Sequence, residues 1–414
     1  MRIVFLNPCG QLGGAETSLL EVLASLRAMA PEWELHLVLG EDGPFAAEAR
    51  QRGAQVMVEP FPASLAGLGD SGQPPLQVAA SLMRAAFATA GYRRRLARIL
   101  QGLCPDVVHT NGFKMHLLGA WSRPRSALLV WHVHDYVSQR RLMSRFLRFC
   151  QGACSVAIAN SRSVERDIRK SLPGLRVVPI YNSVDLKRFS PAGPVLDLDK
   201  LAQLEPAPDG AVRVGLVGTF ARWKGHQVFL EALAQLPSAL NVRGYIIGAP
   251  IYQTGNSQWS LAELERKAAH LGLGSRLGFT GYVRDVAAAM RSLDVVVHAS
   301  TEPEPFGMVI IEAMACARAV IASQAGGAAE LFLEGQTALG HPAGDAAVLA
   351  QRIEQLASDA ALRSRIGIAG RASVEVRHHG QRLARELRAV YGQGGDGPTS
   401  AADKAEMESC TVGD

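Results

Sequence analysis

The chain has 414 residues, more than one hydrophobic core usually supports, so two domains of roughly 200 residues each are expected. Its 48% hydrophobic and 20% charged residues are typical of a globular protein and exclude a fibrous or membrane-spanning class. The net charge of +5 is divided unevenly: residues 1–190 hold 23 Lys and Arg against 14 Asp and Glu, whereas residues 191–414 hold 20 against 24.

The N-terminal stretch MRIVFLNPCG is a short apolar run that stops at Pro8. It has neither the long apolar segment nor the small-residue cleavage site of a signal peptide, so the chain is predicted to be cytoplasmic. The six cysteines are scattered, and the one close pair has three residues between its members rather than two. They are interpreted as small buried hydrophobic residues.

Short apolar runs alternate with amphipathic helical stretches such as AETSLLEVLASLRAMA through the first half of the chain. Seven of these runs are predicted strands: residues 3–6, 35–39, 55–58, 107–109, 128–132, 155–159 and 176–180. Strand-helix alternation of this kind favours a parallel sheet that is covered on both faces.

Much of the positive charge of the first half lies in YRRRLARIL (92–100) and SQRRLMSRFLRF (138–149). In the second stretch, Leu142, Phe146 and Phe149 recur at helical spacing between arginines, which is typical of a helix that lies on an anionic membrane. The alternative is a core helix with a solvated basic face. No helix-turn-helix, zinc or aromatic-basic pattern accompanies the charge, so a nucleic acid is not expected as a partner.

A segment rich in Pro, Asp and Gly, residues 191–210, is predicted to link a first domain (1–190) to a second domain (211–375). The second domain has five predicted strands, at residues 212–217, 242–247, 277–280, 295–298 and 319–322. The fold class is therefore α/β, with two doubly wound domains facing each other across a cleft. Residues 376–391 are expected to form a helix that crosses back to the first domain, and residues 392–414 a disordered tail.

The first predicted strand ends in NPCGQLGGAE, where Gly10, Gly13 and Gly14 let the backbone approach a ligand at the start of a helix. The glycine spacing differs from G-x-G-x-x-G, and the second strand ends in Leu39-Gly40 rather than in an acid. This pattern disfavours a dinucleotide cofactor. A plain tight turn is the alternative for any one of these glycines.

The first strand of the second domain continues into GLVGTFARWKGHQ. Gly218 ends the strand, and Arg222 and Lys224 follow before the next helix, so two cations and free helix amides converge on one place. Such a place suits a diphosphate. The alternative is that both cations only solubilise the surface.

The stretch EPFGMVIIEAMACA places Glu304 on a loop after a buried strand and Glu312 about two turns into the next helix. Gly307 permits the tight turn between them. Two carboxylates in these positions can accept hydrogen bonds from several sugar hydroxyls. Alternatively, Glu304 is a solvated loop acid and Glu312 the structural partner of an arginine.

Together these stretches resemble the GT-B fold retaining glycosyltransferases of family 4, also called glycosyl transferases group 1. EPFGMVIIEA is similar to the E-x7-E motif of that family. Further matching stretches run over nearly the whole chain: GGAE, HVHDY (132–136), ANSRSVERDI (159–168), IYNSVDLKRF (180–189), VGTFARWKG, FTGYVRDV (279–286) and GGAAE (326–330).

The resemblance implies that Glu304 contacts hydroxyls of the donor sugar and that Glu312 holds the ribose hydroxyls of the nucleotide. Lys224 would stabilise the leaving diphosphate with help from Arg222, although Thr219 stands where the family often has an arginine. His134 would face the reaction centre, with His132 on the same face of the strand as the alternative. The other implied donor contacts are Gly13, Gly14, Gly218, Tyr282, Val283, Phe306, Gly307, Met308 and Val309.

The resemblance also implies a retaining transfer in which the acceptor attacks from the side that the nucleotide leaves, so positioned cations matter more than a strong nucleophile. A UDP- or GDP-sugar is expected as the donor, with a glycan, a lipid-linked molecule or a small molecule as the acceptor. Loops such as 250–260 are expected to influence donor choice.

No cofactor or metal ion is expected to be required. The Asp-x-Asp sequence at Asp197 and Asp199 lies in the predicted linker rather than at a strand end. Two alternatives keep the same fold: a sugar-nucleotide epimerase or hydrolase, and a nucleotide-sugar-binding protein without turnover.

Overall fold

The structure is a computed structural model that describes residues 1–62, 75–250 and 257–392, with only the backbone for residues 75–87. Residues 393–414 of the predicted disordered tail and residues 251–256 of the predicted donor loop lie outside the described residues. Within the described ranges, no helix is long and apolar enough to span a bilayer.

The first domain is built on a parallel sheet of seven strands in the order β3-β2-β1-β4-β5-β6-β7. The strands are β1 (Arg2–Asn7), β2 (Glu34–Leu39), β3 (Gln55–Val58), β4 (Val107–Asn111), β5 (Leu128–Val133), β6 (Val156–Ala159) and β7 (Val177–Pro179). Side chains alternate between the two faces, so that Ile3 and Phe5 enter one core while Val4 and Leu6 enter the other.

Helices cover both faces of this sheet. On one face pack α1 (Gly14–Met29) and α2 (Pro44–Gln51). On the other pack α3 (Pro75–Leu103), α4 (Phe113–Ser122), α5 (Arg141–Cys150) and α6 (Arg162–Ser171). Burial of both faces explains why the strands are nearly continuous apolar runs.

The second domain has a parallel sheet of six strands in the order β10-β9-β8-β11-β12-β13. The strands are β8 (Val212–Val217), β9 (Val242–Ile247), β10 (Leu277–Gly281), β11 (Val295–His298), β12 (Ala319–Ser323) and β13 (Leu339–His341). The helices are α7 (Leu198–Leu201), α8 (His226–Gln235), α9 (Leu261–His270), α10 (Val286–Arg291), α11 (Met308–Ala315), α12 (Ala346–Ser358) and α13 (Ala360–Arg377).

The prediction of two doubly wound parallel domains is confirmed. The sequence patterns missed β13, since a strand of three residues is too short to show periodicity. The interpretation of the cysteines as buried was wrong for Cys104, which is exposed just after α3, and Cys9 is half-buried. Cys410 lies outside the described residues.

The last described helix, α14 (Gly380–Gly392), packs against α1 and belongs to the core of the first domain through Leu383, Leu387 and Tyr391. The chain thus crosses between the domains twice, near residues 180–184 and again near residues 378–382. The two crossings are bonded together: the Val184 amide donates to the His378 carbonyl at 2.9 Å. They therefore form a double-stranded connection at one end of the cleft.

Candidate active site

An ion pair between a partly buried lysine and a buried glutamate joins two strand ends of the second domain. Lys224 lies in a single 3-10 turn between β8 and α8, and Glu304 lies on the loop between β11 and α11. The Lys224 Nζ atom is 2.9 Å from both carboxylate oxygens of Glu304. Ser300 Oγ donates to Glu304 Oε2 at 2.8 Å, and His298 Nε2 lies 3.3 Å from the same oxygen.

Glu304 is only 7% exposed, and burial by itself raises the pKa of its carboxyl group. The charge of Lys224 and the hydrogen bond from His298 outweigh burial and hold the pKa well below its usual range. The carboxylate is therefore ionised at neutral pH. It can accept hydrogen bonds but is a weak base.

The loop from Glu304 enters α11 through a left-handed turn. Gly307 has φ +101°, a conformation that costs a residue with a side chain about 1 kcal/mol or more. The Phe306 side chain is buried in the domain core, so only its backbone is available to a ligand. Met308 and Val309 are half-buried and supply the first amides of α11, which have no acceptor within the helix.

Glu312 lies half-buried in the second turn of α11. Its carboxyl group has no hydrogen-bond or ion-pair partner in the part of the chain that the structure describes. Burial raises its pKa to about 7, although the charge of Arg188 acts in the opposite direction. The structure thus gives Glu312 no arginine ion pair, which leaves its carboxyl oxygens available to a ligand.

A second acid of the same kind was missed by the sequence analysis. Burial, together with the charges of Asp185 and Glu312, raises the pKa of Glu21, on α1 of the first domain, to about 7. Acids on α1 and α11 therefore interact electrostatically across the cleft. The helical periodicity of α1 offered no signal that distinguished Glu21 from a solvated helix acid.

His134 follows β5 at the cleft and is half-buried, with Nε2 2.9 Å from Asn111 Oδ1. Burial lowers its pKa to about 4, so the ring is neutral at pH 7. His132 is buried inside β5, and its Nδ1 lies 3.2 Å from His109 Nε2. Tyr391 of α14 in turn contacts His109 Nδ1 at 2.8 Å. His132 thus belongs to a core network that ties α14 to the sheet.

Arg222 is held by α9 rather than by the Lys224–Glu304 pair. Its Nη2 donates to Glu263 Oε1 at 2.9 Å, and its guanidinium lies 3.8 Å from the centre of the Trp259 ring. Glu263 is the N3 residue of the capping box that begins α9. The predicted role of Arg222 at the diphosphate would require it to leave these partners.

The predicted glycines line the start of α1 and the end of β8. Gly13 is the N-cap of α1, and its amide donates to Glu16 at 3.2 Å, which explains the acid in GGAE. A Cβ atom added at Gly14 or Gly218 would meet no atom within 4 Å, so both face open space. Tyr282 is 67% exposed, and Val283 is half-buried beside it.

The Asp-x-Asp pair is occupied by structural contacts. Asp197 caps α7, where its Oδ1 accepts from the Lys200 amide at 3.0 Å. Burial alone would raise the pKa of Asp199, but hydrogen bonds from Tyr245 and Arg243 lower it to about 2. No cluster of His, Cys, Asp or Glu that could hold a metal ion is found in residues 1–62, 88–250 and 257–392.

The two domains also meet directly, at a carboxylate that the sequence analysis did not single out. Glu330, in the GGAAE stretch, accepts from the amides of Arg162 and Ser163 at 2.9 and 2.7 Å. It also accepts from the Tyr181 hydroxyl at 2.8 Å. Glu330 thereby binds the N-terminus of α6, where a negative charge is favoured by the helix dipole.

Gly326 and Gly327, which precede Glu330, allow the two domains to come this close. Gly326 has φ +69°, and a Cβ atom there would lie 2.4 Å from the Tyr136 hydroxyl of the first domain. That hydroxyl donates to the Glu304 carbonyl at 3.2 Å. The contact between the domains therefore reaches the loop that carries Glu304.

Comparison with known families matches both domains. A model described as Glycosyltransferase Family 4 matches residues 12–188, and one described as Glycosyl transferases group 1 matches residues 199–373. The chain belongs to glycosyltransferase family 4. The membership of family 4 that the sequence resemblance predicted is confirmed.

Two relatives show how far the similarity of this family 4 chain extends. The lipopolysaccharide core biosynthesis glycosyltransferase LpsE of Rhizobium meliloti is 29% identical over 185 residues, which are 45% of this chain and 50% of LpsE. The α-maltose-1-phosphate synthase of Mycolicibacterium smegmatis is 26% identical over 391 residues, 90% of this chain and 94% of that protein. The matched part of the chain spans only half to three-fifths of the length of LpsE and several other curated relatives.

Solved structures match the whole fold. HepE of Anabaena in complex with UDP-glucose has a TM-score of 0.75 and 27% identity, and the match covers 95% of this chain and all of HepE. The sucrose-phosphate synthase of Thermosynechococcus elongatus, at 21% identity, has a TM-score of 0.72 over 95% of this chain and 98% of its own. The architecture of this family 4 chain is therefore GT-B, as predicted.

Proposed function

We propose that this protein transfers a sugar from a nucleoside diphosphate sugar to a hydroxyl group of an acceptor, with retention of the anomeric configuration and without a metal ion. One arrangement carries the proposal. The ionised pair of Lys224 and Glu304 lies beside the N-terminus of α11, which also carries Glu312, a carboxyl group with no partner among the described residues.

Each of these groups suits one part of the donor. The Glu312 carboxylate would accept hydrogen bonds from the ribose hydroxyls, and Glu304 would accept them from hydroxyls of the sugar. Lys224 and the amides of Phe306, Gly307, Met308 and Val309 would hold the phosphates. Tyr282 and Val283 would border the base, while Gly14 and His134 would approach from the first domain.

The identity of the donor is supported by a relative. HepE, at 27% identity, has been solved with UDP, with UDP and glucose, and with UDP-glucose. A UDP-sugar is therefore the first candidate donor for this chain, and a GDP-sugar the second. The acceptor class stays open between a glycan, a lipid-linked molecule and a small molecule.

In the proposed reaction the bond between the anomeric carbon and the diphosphate oxygen breaks as the acceptor oxygen bonds to the same face of that carbon. The acceptor proton passes to the leaving diphosphate. Lys224 and the N-terminus of α11 would stabilise the negative charge that develops on the phosphate. Glu304 is already engaged by Lys224, Ser300 and His298, so it suits hydroxyl binding better than nucleophilic attack.

The proposal that no metal ion is needed follows from the positive charge that Lys224 and the N-terminus of α11 supply. A lysine and a helix N-terminus together can balance part of the diphosphate charge that a cation balances in metal-dependent transferases. Both aspartates of the Asp-x-Asp pair already have structural partners. They would have to leave those partners to bind a cation.

The first test is calorimetric and thermal-shift binding of UDP, GDP and their sugars in the presence of a chelator. Selective binding of one nucleotide sugar is expected, and it should be lost in Glu312→Ala but kept in Glu354→Ala, an exposed acid on α12. NMR of the product should then show the anomeric configuration of the donor. Absence of binding by every nucleotide, dependence on a cation, or inversion would each contradict the proposal, and release of free sugar without an acceptor would indicate a hydrolase.

A further inference from the structure

Helix α5 carries three stripes of side chains with different chemistry. One packs into the core of the first domain, the second is apolar and faces solvent, and the third is basic and faces solvent. In that order, the stripes contain Met143, Leu147 and Cys150; Leu142, Phe146 and Phe149; and Arg141, Arg145 and Arg148. Only the core stripe packs into the described core of the first domain, so the apolar solvent stripe needs another explanation.

The apolar stripe is large, and a neighbouring helix carries a further exposed aromatic residue. Leu142, Phe146 and Phe149 are 67%, 47% and 89% exposed. Trp121, near the end of α4, is 41% exposed, and its Nε1 donates to Cys150 Sγ at 3.1 Å. Single exposed apolar residues are ordinary, but four on two adjoining helices form a patch that marks an interaction surface.

Among the described residues, the arginines beside this patch have no polar partner. Within the described part of the chain, Arg141, Arg145 and Arg148 make no hydrogen bond or ion pair, and residues 138–150 contain no acidic residue. They belong to the half of the chain that carries the excess positive charge. The partner of this surface should therefore present an apolar layer beneath negative charge.

We propose that this surface, formed by Trp121 and the two solvent-facing stripes of α5, docks on a bilayer that contains anionic lipids. The apolar stripe would enter the boundary between headgroups and acyl chains, and the arginines would pair with phosphates at the level of the headgroups. A second copy of the chain fits less well, since a two-fold contact through α5 would bring the two arginine stripes together.

The position of α5 determines how the docked protein is oriented on the bilayer. Arg140, the N-cap of α5, has Nη2 3.9 Å from Oδ2 of Asp135, which directly follows His134. The N-terminal end of α5 is thus at the rim of the cleft, beside the histidine on the first-domain side. A docked protein would hold this rim at the level of the lipid headgroups.

The test is sedimentation of the full chain with vesicles of phosphatidylcholine alone and with an equal mixture of phosphatidylcholine and phosphatidylglycerol. Binding to the mixed vesicles is expected, and it should weaken as salt is raised. Phe146→Ser with Phe149→Ser, and separately Arg145→Gln with Arg148→Gln, should each reduce the affinity on the order of tenfold.

Matched controls are Ile368→Ser with Val376→Ser, which are 65% and 72% exposed on α13, and Arg365→Gln with Arg388→Gln. These should bind vesicles as the wild type does. Equal and negligible sedimentation with both vesicles would overturn the proposal. So would an equal loss in the controls, or a concentration-dependent dimer that the phenylalanine substitutions dissociate without any dependence on lipid. Thermal unfolding of each variant verifies that it is folded.

Discussion

The ammonium group of Lys224 contacts both carboxylate oxygens of Glu304, a residue 80 positions later in the chain. The pair is asymmetric, because the Glu304 side chain is 9% exposed and that of Lys224 is 23% exposed. Removing one partner therefore has a different cost from removing the other. Leaving the buried Glu304 carboxylate without its cation costs more folding free energy than leaving the Lys224 ammonium group without its carboxylate.

Lys224→Ala should destabilise the protein by about 3 kcal/mol, because Glu304 then stays buried without its cation. Glu304→Gln keeps the shape of the side chain and leaves a partly exposed ammonium group, so its cost should be smaller. Urea unfolding measures both. A larger loss in Glu304→Gln than in Lys224→Ala would contradict the predicted asymmetry. A double variant whose loss equals the sum of the two single losses would show that the pair is not coupled.

The raised pKa of Glu312 predicts a pH dependence of nucleotide binding. Since its pKa is about 7, the carboxyl group gains a proton as the pH falls through neutrality and then accepts fewer hydrogen bonds from ribose. The affinity for UDP should fall between about pH 8 and about pH 6. Calorimetry with Glu312→Gln is the control for titration of the phosphate itself, and an identical pH profile in both proteins would refute this role.

Glu21 predicts a pH dependence of the protein's stability, in which low pH is the favourable condition. Its pKa is raised from 4.5 to about 7 on folding, so its contribution to stability is fully present below pH 4.5 and is lost as the pH rises through 7. Glu21→Gln should therefore raise the Tm relative to wild type at about pH 8 and leave it nearly unchanged at about pH 4. Glu32→Gln, at an exposed position of the first domain, is the matched control. A gain in Tm that is equal at both pH values would contradict the assignment.

Glu330→Gln should weaken the contact between the domains without unfolding either one. The amide keeps the shape of the side chain but loses the charge that binds the helix dipole of α6. The cleft should then be open more often, with a lower kcat/KM and a larger radius of gyration in X-ray scattering. Glu334→Gln is the control, since Glu334 bonds Gln324 and Gly340 within the second domain. Equal scattering from Glu330→Gln and wild type would refute the proposed clamp.

The sequence predicted those features that depend on local pattern. The ends of β8 and β11 were predicted correctly, so Lys224 and Glu304 were expected at the same edge of the second sheet. Their direct contact was not predicted, because the motif suggests roles toward a ligand and says nothing about the partners of each side chain in its absence. The partners of Arg222 were not predicted for the same reason, since Trp259 and Glu263 lie just before and within a helix that begins nearly forty residues later.

Features that depend on distant pairs of residues were missed. Glu330 and the α6 amides are separated by 168 and 167 residues, and no local periodicity connects them. The raised pKa of Glu21 likewise depends on how α1 faces the second domain. The apolar and basic stripes of α5, in contrast, were visible as spacing, because helical geometry alone separates residues 142, 146 and 149 from residues 141, 145 and 148.

The return of α14 to the first domain has a consequence for synthesis. The sheet and helices within residues 1–190 leave the ribosome well before residues 380–392, so the groove on α1 that receives Leu383, Leu387 and Tyr391 stays uncovered until then. At about 5–20 residues per second, this delay is on the order of ten seconds or more. The second domain, in contrast, holds all of its strands and its core helices within one continuous stretch. The domain made first is therefore the one that is completed last, and a nascent chain that stops before α14 would expose an apolar groove open to chaperones or to aggregation.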